Sequence, residues 1–318
     1  MSTWRKPLLA ALALCCVAAI AACGSSNSSS SSASTSSSAA PASSSTSTAA
    51  TSSSSSGTAN SAVVALVPSA LKSKGTLTVA ADASYAPDEF IGSDGHTVVG
   101  MDADLAKALA AEMGLKANVV NATFATIIPG LAAGRYDMGA SSFSDTLARE
   151  KTVDFVDYAH VGESFYTKSN GGASIGSIAD ICGKTVSVES GTTEQADAKT
   201  QSAKCTKAGK PAVNVLVFNT QTEANLAVSS GRAQLGFADT PVADYQVKQS
   251  GGEFKIVGTP YATGPYGLAI PKNGLDKAVL AALQDLVKNG TYSSILAKWG
   301  LSGIAIPASQ VKINGATS

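Results

Sequence analysis

The stretch AAGRYDMGASS, residues 132–142, has a counterpart in SSGRAQLGFAD, residues 229–239. The two align without a gap at an offset of 97. Each carries Gly-Arg, a short apolar segment with a glycine in it, a small residue, and a polar end: Ser142 in one, Asp239 in the other. A common helix–glycine–strand turn produces short matches of this kind too. The placement argues for more, because the copies fall at corresponding points of two halves in which strand and helix signals alternate.

Working outward, the first half reads as strand TLTVAAD (76–82), helix MDADLAKALAAEMG (101–114), strand KANVV, helix TIIPGLAAG, and the strand ending in Ser142. In the longer helix Asp102 is placed as an N-cap, Leu105, Leu109 and Met113 share a face, and Gly114 is the stop. Pro129 is expected in the first turn of the short helix, with Gly134 ending it. The second half reads as strand GKTVSVES, a helix from Thr192, strand VNVLVF, a helix near 221–230, the strand ending in Asp239, and a helix from Pro241. Such alternation predicts an α/β fold with largely parallel sheets. Ligands of open α/β sheets bind beyond the carboxyl ends of the strands, so Ser142 and Asp239 each stand at a sheet lip. The segments 158–170 and 259–272, rich in Tyr, Gly and Pro, read as two crossings between the halves. Helices at 275–289 and 290–299 then return to the first. Lobe 1 is expected over 65–163 and 264–318, lobe 2 over 164–263, with a ligand cleft between them and two hinge crossings.

The N-terminus points to export. Arg5 and Lys6 precede an apolar run from Leu8 to Ala22, too short for a comfortable membrane span. Residues 1–22 read as a signal peptide. Ile20-Ala21-Ala22-Cys23 resembles the lipobox of bacterial lipoproteins, in which cleavage precedes the cysteine and its thiol takes a lipid. The plainer alternative is a secreted chain with an incidental cysteine. Residues 24–62 are almost entirely Ser, Thr and Ala, and no charged residue lies between Lys6 and Lys72. Such a segment buries too little apolar surface to offset its chain entropy. Residues 23–64 are therefore expected to be a lipid-attachment cysteine and a disordered tether of roughly 35 Å reach, holding the domain on the outer face of the cell membrane.

Of five cysteines, Cys15 and Cys16 leave with the signal and Cys23 is the lipidation site. Cys182 and Cys205 remain, an even pair in an oxidising compartment, and are expected to form a disulfide. Two buried free thiols are the alternative. Lys and Arg number 23, as do Asp and Glu, and no basic patch is visible, so nucleic acid is not expected as a partner. His96 and His160 have no metal-ligand spacing, and neither G-x-S-x-G nor H-E-x-x-H occurs. No cofactor or metal is expected.

The segments TLTVAADASYAP, VGMDADLAKALAAEMG, FATIIPGLAAGRYDMGASSFSDTLAREKTVDF, GKTVSVESGTTEQ, GRAQLGFADTPVADY, YGLAIPK and NGTYSSILAKWG occur in that order and cover nearly all of 75–300. Together they resemble the extracytoplasmic solute-binding proteins of ABC importers, in the polar amino-acid-binding family (bacterial solute-binding family 3). The resemblance implies a two-lobed type II periplasmic-binding-protein-like fold. It implies a monomer that captures a free amino acid and delivers it to an ABC permease with its ATPase. Arg149 stands at the family's carboxylate-binding position, where a planar fork suits a carboxylate. Ser142 and Ser144 stand where oxygens accept from the α-ammonium, and Asp239 matches the acid that pairs with it. Thr192 and Thr193 lie at a helix N-terminus, which favours a carboxylate; Thr192 with Gln195 also fits a capping box. Tyr85 and Phe124 match apolar walls around the ligand side chain. Asp82 and Glu189 match positions that reach its distal group, or else serve internal hydrogen bonds.

With no Lys or Arg in the matching places, a basic amino acid such as arginine or lysine comes first and glutamine second. Asp88, in YAPDEF, departs from the family's usual aromatic, so the wall is thinner there or the loop is shifted. No enzyme is expected. The alternatives are a cyclohexadienyl-dehydratase-like enzyme on the same fold and a ligand-sensing lipoprotein.

Overall fold

The computed structural model describes residues 59–317. The signal segment, Cys23 and most of the expected tether lie outside the described residues. Order begins before Ala65: Asn60 caps helix α1 (Ser61–Leu66) by accepting the Ala62 N–H at 2.9 Å. Val63 of α1 is buried in the core of the first lobe, and Asn60 donates its N–H to the Glu112 carbonyl. One buried valine and a good cap thus place α1, which begins within the segment 23–64 that composition assigns to a tether, in the fold. Helix α2 (Ser69–Lys74) follows.

The first lobe contains β1 (Thr76–Ala81), a small sheet of β2 (Ser84–Tyr85), β3 (Glu89–Ile91) and β4 (Val98–Val99), helix α3 (Met101–Glu112), β5 (Lys116–Asn121), α4 (Phe124–Ala132) and β6 (Met138–Ser144). Strand β7 (Val153–Lys168) then runs into the second lobe, which contains β8 (Thr185–Glu189), α5 (Thr193–Lys207), β9 (Asn214–Phe218), α6 (Gln221–Ser229), β10 (Leu235–Asp239) and α7 (Thr240–Gln249). Strand β11 (Phe254–Pro271) returns, and α8 (Asp276–Lys288) and α9 (Thr291–Lys298) pack on the first lobe.

The main sheet has the order β5-β1-β6-β11-β7-β10-β8-β9. A parallel triplet at each end flanks the two long antiparallel strands. Strand β6 pairs with β11 at Tyr266–Ala269, whereas β10 pairs with β7 at Glu163–Tyr166. Between these points the β7–β11 register slips around Tyr261. These are the two lobes and two crossings that the alternation predicts.

The register carries the internal repeat further. Met138 of β6 pairs with Val79, and Leu235 of β10 pairs with Val186. The repeat equates Met138 with Leu235, so Val79 corresponds to Val186. Three residues beyond each, Asp82 corresponds to Glu189. The fold therefore places one carboxylic acid at the same lip position of each half-sheet.

Two helix starts differ from the expectation. Gly100, not Asp102, is the N-cap of α3: its φ is +129° and a Cβ there would lie 2.2 Å from the Asp88 carbonyl oxygen, so only glycine fits. Asp102 sits in the first turn and accepts the Ser142 N–H at 2.7 Å. Helix α4 starts at Phe124, which moves Pro129 out of the first turn into the helix interior. Its cap is remote, because the Phe124 N–H donates to Asp82 at 2.8 Å.

The second core is organised by Phe165 stacked on Phe237, with ring centroids 3.9 Å apart. Beside it Cys182 and Cys205 form a disulfide joining the segment before β8 to α5. Closing that 23-residue separation contributes about 3 kcal/mol in the chain-entropy treatment.

Candidate ligand cleft

Strand ends and helix starts of both lobes converge on one small, tightly closed cleft. All ten residues singled out from sequence line it. Asp82, Tyr85, Phe124, Ser142, Ser144 and Arg149 come from the first lobe and its exit turn; Glu189, Thr192, Thr193 and Asp239 come from the second. Glu194 joins them.

Arg149 follows β6 on a turn held by the Glu150 N–H to the Thr146 carbonyl and the Val153 N–H to the Arg149 carbonyl. Its guanidinium donates to the Ser144 carbonyl at 2.7 Å and, across the cleft, to the Gly191 carbonyl at 2.9 Å. Phe124 and Phe143 stack at 4.6 Å, and the guanidinium carbon lies 5.5 and 5.6 Å from their centroids. The rings fix the plane of the fork and keep water from one side of it. Burial lowers the Arg149 pKa, while Glu194, Asp239 and Glu163 act to hold its charge.

The lobes touch at several polar points. Tyr85 donates to Asp239 at 2.9 Å, Ser144 and Thr193 share a hydrogen bond at 3.2 Å, and the Gln221 N–H donates to Ser84 at 3.0 Å. The cleft is closed.

The capping box is only half formed. Thr192 accepts the Gln195 N–H at 3.2 Å, but the Gln195 amide accepts from Gly191 rather than from Thr192. Ser142 has left-handed backbone, with φ of +48°. Its hydroxyl donates to Asp88 at 2.9 Å and so points away from any ammonium. Asp88 itself is wholly buried and is absent from the cleft lining, so it acts behind the wall and not as part of it.

The acidic residues divide by what they already hold. Asp82 accepts from the Ser84 N–H and hydroxyl and from Phe124, so both its oxygens are engaged. Glu189 is buried and its Oε1 has no partner; burial and then the charge of Asp82 push its pKa well up. Glu194 is likewise raised by burial and then by Asp239, and its Oε1 is also unpartnered. Asp239 is lifted by burial to about 6, against the hydrogen bond from Tyr85 and the charge of Arg149. Behind Arg149, Glu163 on β7 is pushed up to about 11 by burial, then Glu194 and Asp239. Four carboxyl groups and one guanidinium line the cleft, an excess of acid that a bound cation would relieve.

Glu194 and Glu163 escaped the sequence reading. Glu194 stands inside ESGTTEQ, where the hydroxyls and the capping pattern drew attention. Glu163 had a signal of its own, as the one acid of the apolar and aromatic crossing segment 158–170. Among the described residues no group of three His, Cys, Asp or Glu could hold a metal ion.

A two-lobed α/β fold closed over a small polar cleft is the architecture of a solute-binding protein. The family description "Bacterial extracellular solute-binding proteins, family 3" matches residues 77–302, and the chain belongs to that family. It is similar to the arginine-binding protein ArgT of Corynebacterium glutamicum, 35% identical over 75% of this chain and 79% of the relative. Among solved structures it resembles an ancestral arginine-binding protein bound to arginine, with TM-score 0.65, 36% identity, and coverage of 71% of this chain and 98% of that one. It also resembles an ancestral amino-acid-binding protein that is a precursor of cyclohexadienyl dehydratase, with TM-score 0.65, 34% identity, and coverage of 72% and 97%.

Proposed function

We propose that this protein captures a free basic amino acid, arginine before lysine and either before glutamine, outside the cytoplasm and delivers it to an ABC permease. The observation that carries the reading is the charge balance of the cleft: one guanidinium on a two-ring shelf, faced by four carboxyl groups from both lobes. Arg149 takes the α-carboxylate as a bidentate partner. Backbone N–H groups of Thr192 and Thr193 at the start of α5 add to the carboxylate side, and Asp239 takes the α-ammonium with oxygens of Ser142 and Ser144. Tyr85 and Phe124 flank the aliphatic stem. Glu189, with its free oxygen, receives the distal cation, and Asp82 supplies field more than contact because its oxygens are engaged. The names of relatives that bind arginine support placing arginine first.

Lobe 1 is assigned 65–163 and 264–318, extended backward through α1, and lobe 2 is assigned 164–263. The working form is a monomer anchored by lipid on Cys23 and tethered to the outer face of the membrane. Cys23→Ala is expected to move the protein from the membrane fraction to the medium.

A thermal-shift screen of the domain against free amino acids tests the reading, because a ligand that binds only the folded state raises the midpoint by mass action. Arginine should give the largest rise. The resemblance to a dehydratase precursor favours one added arm: incubation with a cyclohexadienyl acid, in which product formation would replace the transport reading by an enzymatic one.

A further inference from the structure

The last residues of the described chain run along the back of the turn that carries Arg149. Val311 is buried in the first lobe. Ile313 bridges Val156 of β7. The Lys312 carbonyl accepts the Asp157 N–H at 2.9 Å, and Asn314 exchanges two bonds with Phe155, at 3.0 and 2.8 Å. These bonds lock the strap to the crossing strand. Asn314 then turns through left-handed backbone, φ +52°, and the next two N–H groups point at the Arg149 turn. Gly315 donates to Asp145 at 2.8 Å and Ala316 donates to Glu150 at 3.3 Å.

Asp145 and Glu150 bracket Arg149, one at the start of its turn and one directly after it. The Asp145 N–H is in turn fixed on the Pro265 carbonyl of β11 at 2.9 Å. The strap packs closely here: a Cβ on Gly315 would lie 2.0 Å from Asp157 Oδ2 and 2.3 Å from the Lys312 stem, so a larger residue must displace those side chains. Thr317 reaches the chamber on the far side of Arg149, next to Glu163.

We propose that the C-terminal strap Lys312–Ala316 is a positioning element of the binding site, which holds Asp145 and Glu150 so that the Arg149 fork meets the ligand carboxylate. Asp145, Glu150 and Gly315 are positioning residues that act through Arg149, and none of them touches the ligand. The inference rests on the reading of Arg149 as the carboxylate clamp. The physical cause is local. A single-turn loop is held by few bonds of its own, and a clamp displaced by a fraction of an ångström binds its partner much more weakly even though the clamp itself is still present.

The test uses the full chain with Gly315→Ala, Asp145→Ala, Asp145→Asn and Arg149→Ala, titrated with arginine and with argininamide, whose carboxyl is capped. Gly315→Ala and Asp145→Ala should each weaken arginine about tenfold and leave argininamide within about twofold. Asp145→Asn, which keeps an acceptor for the Gly315 N–H, should restore most of the arginine affinity. Equal losses for both ligands, or no loss for either, overturn the strap proposal. If Gly315→Ala fails to fold, the Asp145 pair decides alone. Arg149→Ala separates the two readings. Loss in Arg149→Ala with intact binding in the strap variants removes the strap alone, while intact arginine binding in Arg149→Ala removes the clamp assignment and the strap with it.

Discussion

The phenol of Tyr85 donates to the Asp239 carboxylate at 2.9 Å and accepts the Asp239 backbone N–H at 3.1 Å. Tyr85 belongs to the first lobe and Asp239 to the second, so this reciprocal pair latches the closed cleft. Tyr85→Phe keeps the ring that flanks the ligand and leaves two buried groups of Asp239 without their partner. The loss should be about 1–2 kcal/mol, or roughly 5- to 30-fold in ligand affinity. Scattering of the unliganded variant should show a more open molecule. Unchanged affinity and unchanged compactness would show that the latch does not contribute to closure.

Arg149→Ala removes the only guanidinium of the cleft and should weaken amino-acid binding by about 2–5 kcal/mol, tens to thousands in affinity. Arg149→Lys should be nearly as harmful. An ammonium cannot span the Ser144 and Gly191 carbonyls while facing a carboxylate in one plane. Calorimetry on both variants checks this, and a lysine variant of near-native affinity would mean that charge alone suffices.

Asp239 sets a pH dependence. Burial raises its pKa to about 6, so in the empty protein it takes up a proton as pH falls through that value. The folded state holds this proton more tightly than the unfolded chain, so the contribution of Asp239 to stability declines as pH rises from about 4 to about 6. Ligand binding runs the other way, because an α-ammonium needs the ionised acid. Affinity should be full above about pH 7, halved near pH 6, and down about tenfold at pH 5. Titrations at pH 5, 6 and 7.5 test it; affinity that is flat or rises in acid would place the ammonium elsewhere.

The architecture was legible because its signals are local and repeated. Alternating apolar periods mark strands and helices, and the Gly-Arg echo marks two equivalent sheet lips. The side chains at those lips then converge for topological reasons, since residues that end parallel strands share an edge. What stayed hidden depends on partners far apart in the chain. The cap of α4 is Asp82, 42 residues earlier, and the start of α3 is set by the backbone of Asp88 against Gly100. The Ser142 hydroxyl turns to Asp88 because its backbone is left-handed, which no neighbouring residue announces. Glu194 becomes a cleft acid, and Glu163 the acid behind Arg149, only when α5 and β7 are brought beside Arg149.

Asp157 offers a stability test outside the cleft. It is buried against Asp145, and burial, then Asp145, pushes its pKa to about 8; Glu150 acts in the same direction and Lys312 against it. The native state therefore keeps a proton that the unfolded chain releases, and stability falls as pH rises from the ordinary carboxylate range to about 8. Asp157→Asn removes that loss. Its melting midpoint should exceed the wild type by a few degrees at pH 8, by less at pH 5, and the gap should stop widening above pH 8. A gap that narrows with rising pH would mean that the carboxyl is ionised in the fold.

Calorimetric titration with arginine, lysine, glutamine and glutamate, on the wild type and on Glu189→Gln, tests the central claim most directly. Glu189 holds the unpartnered oxygen of the acid pair at the two sheet lips, and its replacement removes the group that can ionise against a ligand cation without changing shape. The wild type should bind arginine most tightly, lysine next and glutamine more weakly, with glutamate excluded by the acidic lining. Glu189→Gln should lose at least about tenfold toward arginine and narrow its margin over glutamine. Tight binding of glutamate by the wild type, with no response to arginine or lysine, would contradict the account.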